Sequence, residues 1–229
     1  SNIISGVPQG SVLGPILFIL YIHDISTICF NSKVSYKLFA DDFKLYSKLT
    51  TDLDQASLQS ALGRLQQWCI DWQMTININK CHVLHLGKNN KEMHYYLNGN
   101  LIDSQQSVAD LGVEIDCTLS FDNHINKIIG KAYSRVGVLY KGFASRDARI
   151  LKQAYITYVR PVLEYASSVW SPYLLKHINA IERVQKQFTK RIPSLSHLTY
   201  PERLVAINLE PLELRRLKAD LVLYYKSFN

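Results

Sequence analysis

Tyr36-Lys37-Leu38-Phe39-Ala40-Asp41-Asp42-Phe43-Lys44-Leu45-Tyr46-Ser47 is the stretch on which the reading of this chain turns. A run rich in apolar residues leads into two adjacent carboxylates, and Lys44–Ser47 leads away as a return strand. The pair therefore falls at the tip of a β-hairpin. Neighbouring side chains of a straight strand point to opposite faces, but at a tight turn two of them can converge. Converging carboxylates repel and raise each other's pKa unless a cation lies between them. Mg²⁺ suits such a pair, because it takes oxygen ligands and is often held by one or two carboxylates together with substrate phosphates. Taken alone, the pair reads as a solvated turn, since aspartate is a turn former. The rest of the chain has to decide between the two.

With 229 residues, 47% of them hydrophobic, the chain can build one large domain or two modest ones. Its net charge of +7 is unevenly spread: residues 1–123 hold 8 Lys/Arg against 12 Asp/Glu, and residues 124–229 hold 18 against 7. An acidic part that carries the Asp pair, followed by a basic part, fits a metal site joined to a polyanion-binding surface. A solvated basic helical surface gives the same bias. Cys29, Cys69, Cys81 and Cys117 show no C-x-x-C spacing, which argues against a zinc framework. Cys81, His82 and His85 do not share one strand face, so they make a poor metal set. The apolar run Val12–Ile22 is shorter than the roughly 20 residues of a membrane span and reads as a buried core helix. With no signal-peptide pattern, the expectation is a protein that is not secreted and does not enter a membrane.

Residues 3–10 read as a short strand and turn, with Ser11 opening a helix to about Ile25 and Pro15 in its first turn. Thr51-Asp52 with Gln55 reads as a capped helix start. Leu58, Leu62, Leu65, Trp68, Cys69 and Trp72 continue at helical spacing to about Met74. A β segment follows, with a hairpin at Asn98-Gly99 and a strand at Leu111–Asp116. From Ser120 the period is helical to the end, with a break at Pro161, a capped start at Thr199-Tyr200-Pro201-Glu202 and a last helix from Leu212. The predicted fold class is α+β, a part made of antiparallel hairpins packed on two helices and then an all-helical part. The boundary is placed at 119/120.

Gly6-Val7-Pro8-Gln9-Gly10-Ser11-Val12-Leu13-Gly14-Pro15-Ile16-Leu17-Phe18, followed by Phe39-Ala40-Asp41-Asp42, resembles the reverse transcriptases of non-LTR retrotransposons, the jockey-like long interspersed elements. The likeness continues in order. Asn77–Cys81 resembles the fourth polymerase motif and Asp110–Asp116 the primer-grip region. Val159–Ser167 and Ile181–Lys190 resemble phrases of the thumb. Five matches in the right order outweigh the solvated-turn reading of Asp41-Asp42. His23 and Phe43 depart from the usual phrasing, where relatives have Asn and Thr.

The resemblance implies an RNA-directed DNA polymerase working by two-metal nucleotidyl transfer, with residues 1–119 as part of the palm and 120–229 as the helical thumb. Asp41 and Asp42 would be catalytic metal ligands for Mg²⁺ (or Mn²⁺). Lys80 would serve the departing pyrophosphate, or else is a solvated lysine. Gly6, Val7, Pro8, Gln9, Gly10, Phe39 and Ala40 would contact nucleotide and template, and Leu111, Gly112 and Val113 the primer. Partners would be an RNA template, a DNA primer and deoxynucleoside triphosphates, in a nuclear or cytoplasmic ribonucleoprotein. The family's first catalytic aspartate lies upstream of Gly6. It and the fingers are therefore expected in an upstream half of the same polyprotein, and the chain is read as a fragment that is inactive alone and also ends mid-helix. Asp24 is read as a local hydrogen-bond acceptor. The alternative is a non-catalytic, nucleic-acid-binding remnant of such an element.

Overall fold

The structure, a computed structural model, describes residues 10–29 and 33–228. The chain forms two compact units, Ser1–Gln106 and Ser107–Asn229. Both mix helices with small two-stranded sheets. The first unit holds 8 Lys/Arg and 8 Asp/Glu, and the second 18 and 11. Drawn along these units, the first is neutral rather than acidic, and the whole net charge of +7 belongs to the second.

In the first unit, α1 (Gly14–Tyr21) runs into a 3₁₀ turn, His23–Cys29. The hairpin strands β1 (Ser35–Phe39) and β2 (Asp42–Tyr46) follow, then α2 (Asp52–Asp71). The core joins Ile22, Ile25, Ile28 and Val34 to Ala61, Leu65, Trp68 and Cys69 of α2, with Phe43 and Leu45 against it. This overturns the buried-helix expectation for Val12–Ile22. Ile16, Leu17, Ile19 and Leu20 of α1 are exposed and only its Gly14 is buried. Of α1 only Phe18 packs against this core, and the buried contacts are made by Ile22 and the turn that follows it.

Thr51 opens α2 through a reciprocal capping box with Asp54, not with Gln55. The Asp54 carboxylate accepts from the backbone N–H and hydroxyl of both Thr50 and Thr51 at 2.7–3.0 Å. Those bonds, led by the Thr50 hydroxyl, hold its pKa well below the usual carboxylate range. After α2 come β3 (His82–Leu84), β4 (Tyr96–Leu97), β5 (Asn100–Leu101) and β6 (Asp103–Gln105). β4 and β5 form the Asn98-Gly99 hairpin, with φ +50° and +73° at its two turn residues, as a two-residue loop of this kind requires. The β3–β6 pair is parallel, which corrects the expectation of antiparallel strands alone. The β4–β5 hairpin is inserted between them, so β6 returns beside β3 in the same sense.

The second unit begins with β7 (Ser107–Asp110) and β8 (Val113–Asp116), an antiparallel hairpin. Leu111-Gly112 is its turn rather than the start of a strand. The change to helical period at Ser120 therefore falls inside this unit. The helical spacing of Ile125, Ile128, Ile129, Ala132, Val136 and Leu139 predicts one buried stripe, and α3 (Asp122–Gly142) buries all of these but Ile129, which is half-buried. α4 (Ala148–Ala154) and α5 (Arg160–Glu164) are joined by a π turn, Tyr155–Val159, so the helix widens where a break was expected at Pro161. Proline lacks an N–H and crowds the carbonyl four residues earlier. The Arg160 N–H reaches back five residues to Tyr155 O instead. α6 (Ser167–Trp170), α7 (Leu175–Lys190), α8 (Tyr200–Ala206) and α9 (Leu212–Phe228) complete the unit. Tyr155, Leu163, Ile181, Val184 and Phe188 lie at its centre.

Asp116 closes the loop into α3, accepting from Thr118 N (2.9 Å), Ser120 N (3.2 Å), Phe121 N (2.8 Å), Ser120 Oγ (3.2 Å) and the Thr118 hydroxyl. Burial pushes this carboxyl up, but the hydrogen bonds outweigh it and hold the pKa at about 2. A pKa lowered by folding contributes stability above the unfolded value, about 3.9. That stability is lost as pH falls toward the folded value. Asp116→Asn is expected to lower the melting temperature at pH 7 and to flatten the acid-side decline between about pH 4 and 2, as read by circular-dichroism melts across that range.

Candidate active site

The β1–β2 register pairs Phe39 with Asp42, Leu38 with Phe43 and Tyr36 with Leu45, leaving Ala40-Asp41 as the two-residue tip. Ala40 takes φ +50°, the left-handed conformation of a tight hairpin turn. Phe43 and Leu45 face the core, and Phe43 stacks on Tyr36 at 5.9 Å between ring centroids. The hairpin is therefore anchored by its inner face, while Phe39, Ala40, Asp41 and Asp42 are exposed at its end. Among the described residues neither Asp41 nor Asp42 accepts a hydrogen bond through its carboxylate or joins an ion pair. Asp41 sits in the turn and Asp42 opens β2, and two exposed carboxylates so placed are a donor set that fits a hard divalent cation. Among the described residues there is no group of three or more His, Cys, Asp or Glu able to hold a metal ion, so this chain offers two carboxylates here. Cys81, His82 and His85 form no such group, and His85 is buried against Tyr95.

Asp24 is a hydrogen-bond acceptor as expected, but for a distant residue rather than a local one: it accepts from Trp68 Nε1 of α2 at 3.0 Å. Trp68 is buried in the core and Trp72 packs edge-on against Tyr21. Lys80 ends a 3₁₀ turn, Ile78–Lys80, whose entry is capped by Asn77 accepting from Asn79 N at 3.1 Å. Its side chain is exposed, and no hydrogen bond or ion pair joins it to Asp41 or Asp42. Gly6, Val7, Pro8 and Gln9 lie outside the described residues. Gly10 is described, exposed, at φ +80°.

Leu111, Gly112 and Val113 belong to the second unit. Leu111 and Gly112 form the turn at φ +45° and +85°, and Val113 is buried against the helices. Tyr165 donates its hydroxyl to Leu111 O at 2.9 Å. A Cβ on Gly112 would stand 3.2 Å from the Tyr165 ring, so both the backbone conformation and the close ring favour glycine. Sequence spacing could not reveal this bracing, because Tyr165 is 54 residues away.

Of the basic residues on α3 and α7, Lys127 pairs with Glu114 at 3.1 Å and Arg135 donates to Tyr158 O at 2.6 Å. Lys127, Lys131, Arg183, Lys186 and Lys190 are exposed, and Lys186 Nζ lies 6.0 Å from the centroid of the Tyr200 ring. The sequence reading missed a part-buried polar knot between α7 and the chain around Tyr200 and Glu210. There Glu182 accepts from the Tyr200 hydroxyl and from Leu212 N (2.9 Å), and Gln185 donates to Tyr200 Oη (3.1 Å) and Glu210 O (3.0 Å). Gln185 recurs with Ile181, Val184 and Phe188 at the helical period on the buried side of α7, and a polar residue at such a position is the one sequence signal for the knot.

Residues 1–115 match the family model described as reverse transcriptase (RNA-dependent DNA polymerase). The chain belongs to the reverse transcriptase family. This reverse transcriptase chain is 31% identical over 200 residues to the RNA-directed DNA polymerase from mobile element jockey of Drosophila melanogaster, covering 83% of this chain and 22% of that protein. It is 29% identical over 198 residues to the jockey polymerase of Drosophila funebris, covering 82% of this chain and 22% of the relative. To the probable RNA-directed DNA polymerase from transposon X-element of Drosophila melanogaster it is 28% identical over 198 residues, covering 83% and 22%. The likeness to these non-LTR retrotransposon polymerases thus runs past residue 115 into the second unit. The reverse transcriptase chain spans about a fifth of the length of these relatives. No solved structure matches it. Among the described residues no helix is long and apolar enough to cross a membrane.

Proposed function

We propose that this chain supplies part of the active site and nucleic-acid grip of an RNA-directed DNA polymerase. The observation that carries the proposal is the pair of exposed carboxylates, Asp41 and Asp42, unpartnered among the described residues and displayed at the end of a hairpin within the matched family region. Asp41 and Asp42 would hold Mg²⁺ (or Mn²⁺). When bound, the metal activates the primer 3′-hydroxyl and stabilises the leaving oxygen. Phe39 and Ala40, beside the pair on the same exposed tip, would line the nucleotide position, together with Gly6-Val7-Pro8-Gln9-Gly10 against the templating base. Gln9 brings an amide that both donates and accepts. Lys80 would neutralise or protonate the departing pyrophosphate, a role suited to a mobile point charge.

Residues 1–119 would be palm and 120–229 thumb. The Leu111-Gly112-Val113 turn is then a primer grip that belongs by sequence to the first and by packing to the second. Lys131, Arg183, Lys186 and Lys190 would meet phosphates of the template–primer duplex. The substrates would be RNA template, DNA primer and deoxynucleoside triphosphates, in a nuclear or cytoplasmic ribonucleoprotein.

The test joins this chain to the upstream polymerase region of a jockey element and measures RNA-templated primer extension with Mg²⁺. Extension supports the reading, and failure by a folded, hybrid-binding fusion overturns it. The second reading, binding without catalysis, is favoured by the concentration of the net +7 in the second unit. It predicts hybrid binding that weakens with salt in the same fusion without synthesis. Arg183→Ala/Lys186→Ala/Lys190→Ala is expected to weaken hybrid binding and to reduce the salt slope by about 2–3, at about 0.9 per phosphate contact. Fluorescence anisotropy across a salt series reads this, and an unchanged slope removes α7 from the interface.

A further inference from the structure

The last helix carries a second apolar face that its own unit does not use. α9 packs inward through Leu212 and Arg216, both buried. Leu214, Leu217, Leu221, Tyr224 and Phe228 are 40%, 54%, 59%, 66% and 72% exposed. Their spacing is three, four, three and four residues, the a/d repeat of a coiled-coil seam. At about 100° per residue the seam lies on the opposite side of the helix from Leu212 and Arg216. From Leu221 to Phe228 every residue is exposed, Val222, Leu223 and Tyr225 off the seam included, so the last two turns are apolar on more than one side, and the seam is the one apolar run among them that continues back to Leu214. An isolated stretch of this length is marginal as a free helix.

The flanks say what fits. With Leu214, Leu221 and Phe228 at a positions, Glu213 falls at g and Lys218 at the following e. In a parallel pair of helices, g of one chain meets the next e of the other. Two copies of α9 side by side therefore set Glu213 of each against Lys218 of the other, twice by symmetry. In the antiparallel arrangement g meets g and the acidic Glu213 and Asp220 come together. The seam from Leu214 to Phe228 is about 21 Å long at 1.5 Å per residue, so the contact belongs to the small, reversible class of interfaces. We propose that α9 is a self-association helix, pairing in parallel with α9 of a second copy of this chain through Leu214, Leu217, Leu221, Tyr224 and Phe228. Because the seam points away from the packed side, each copy's second unit lies on the outside of the pair. Lys218, already bonded to Glu210 of its own chain, gains a second acceptor.

Sedimentation equilibrium of the nuclease-treated 229-residue chain, across a hundredfold range of concentration, tests this. The expected result is a reversible monomer–dimer equilibrium. Leu217→Glu/Leu221→Glu is expected to weaken it about 100-fold, while its far-ultraviolet spectrum and melting temperature match those of the wild type at concentrations where the wild type is monomeric, since both side chains are exposed. Glu213→Lys and Lys218→Glu should each weaken the dimer, and the double exchange should recover affinity. A monomer at every concentration, or a dimer indifferent to Leu217→Glu/Leu221→Glu, overturns the proposal. Failure of the double exchange to recover affinity overturns the parallel arrangement.

Discussion

Asp41→Ala is expected to lower Mg²⁺-dependent, RNA-templated synthesis by the complete polymerase about 10³-fold, the scale on which loss of one preorganised charge-stabilising group acts, and to leave hybrid binding unchanged. The argument rests on how the hairpin holds the two carboxylates. Asp42 is the first residue of β2 and its backbone is tied into the ladder opposite Phe39. Asp41 stands one residue earlier, in the turn itself, where the ladder does not dictate its side-chain direction. Both are exposed, so truncation of either creates no cavity and no buried orphan, and a loss of synthesis would not be a loss of fold. Asp41→Asn separates charge from shape: it keeps the size of the side chain and removes the charge that a divalent cation needs. Steady-state primer extension at saturating hybrid, with anisotropy on the same samples, gives both readouts. Equal synthesis by wild type and Asp41→Ala would sink the metal-ligand assignment. Equal absence of synthesis in both, with binding retained, is the result expected of the non-catalytic reading.

The hairpins of this chain were legible because their turns carry local chemistry. Ala40-Asp41 and Asn98-Gly99 each sit between alternating runs, and both close two-residue loops. The α3 stripe was legible for the same kind of reason, since its apolar positions from Ile125 to Leu139 repeat at the helical period over about four turns. What was not legible depends on partners distant in sequence. Hydrophobicity predicted burial for α1, yet burial needs a surface to pack on, and the core of the first unit is filled by Ile22, Ile25 and Ile28 instead. Local pattern marked β3 as part of a β segment, whereas β6 and its parallel sense went unread, because both depend on the hairpin inserted between the two strands. Pro161 signals that a helical bond is lost, and only the structure tells whether the helix stops or widens into a π turn. The site divides along the same line. Asp41 and Asp42 are recognisable as neighbours in sequence, whereas the bracing of Gly112 by Tyr165 and the Glu182–Tyr200–Gln185 knot are products of tertiary packing.

Phe188→Ala is expected to be the most destabilising single change in the second unit, costing about 3–5 kcal/mol. Phe188 is fully buried on α7. Its ring stacks on Tyr155 of the π turn at 4.6 Å and packs against Tyr140 of α3 at 5.5 Å. The Tyr140 hydroxyl also donates to Phe188 O at 2.8 Å, and its phenol is pushed up to about 12, chiefly by burial. One side chain thus ties α3, the π turn and α7 together. The ring contacts add about 0.5–1.5 kcal/mol each to the area that Phe188 buries. Truncation leaves a void bounded by two tyrosines that a widened helix cannot simply close on. Domain stabilities are of order 5–15 kcal/mol, so the variant should remain folded at low temperature but melt far below wild type. Urea denaturation followed by tyrosine and tryptophan fluorescence reads the difference, with Phe188→Leu as the size-graded control expected to lose less. Trp170, also in this core, reports on the second unit. A Phe188→Ala midpoint within error of wild type would mean that the three elements are held together by something other than this contact. The consequence for function follows from the same geometry: α7 carries Arg183, Lys186 and Lys190 on its exposed side, so loosening its buried side should weaken hybrid binding in parallel with stability, whereas Asp41→Ala should weaken neither.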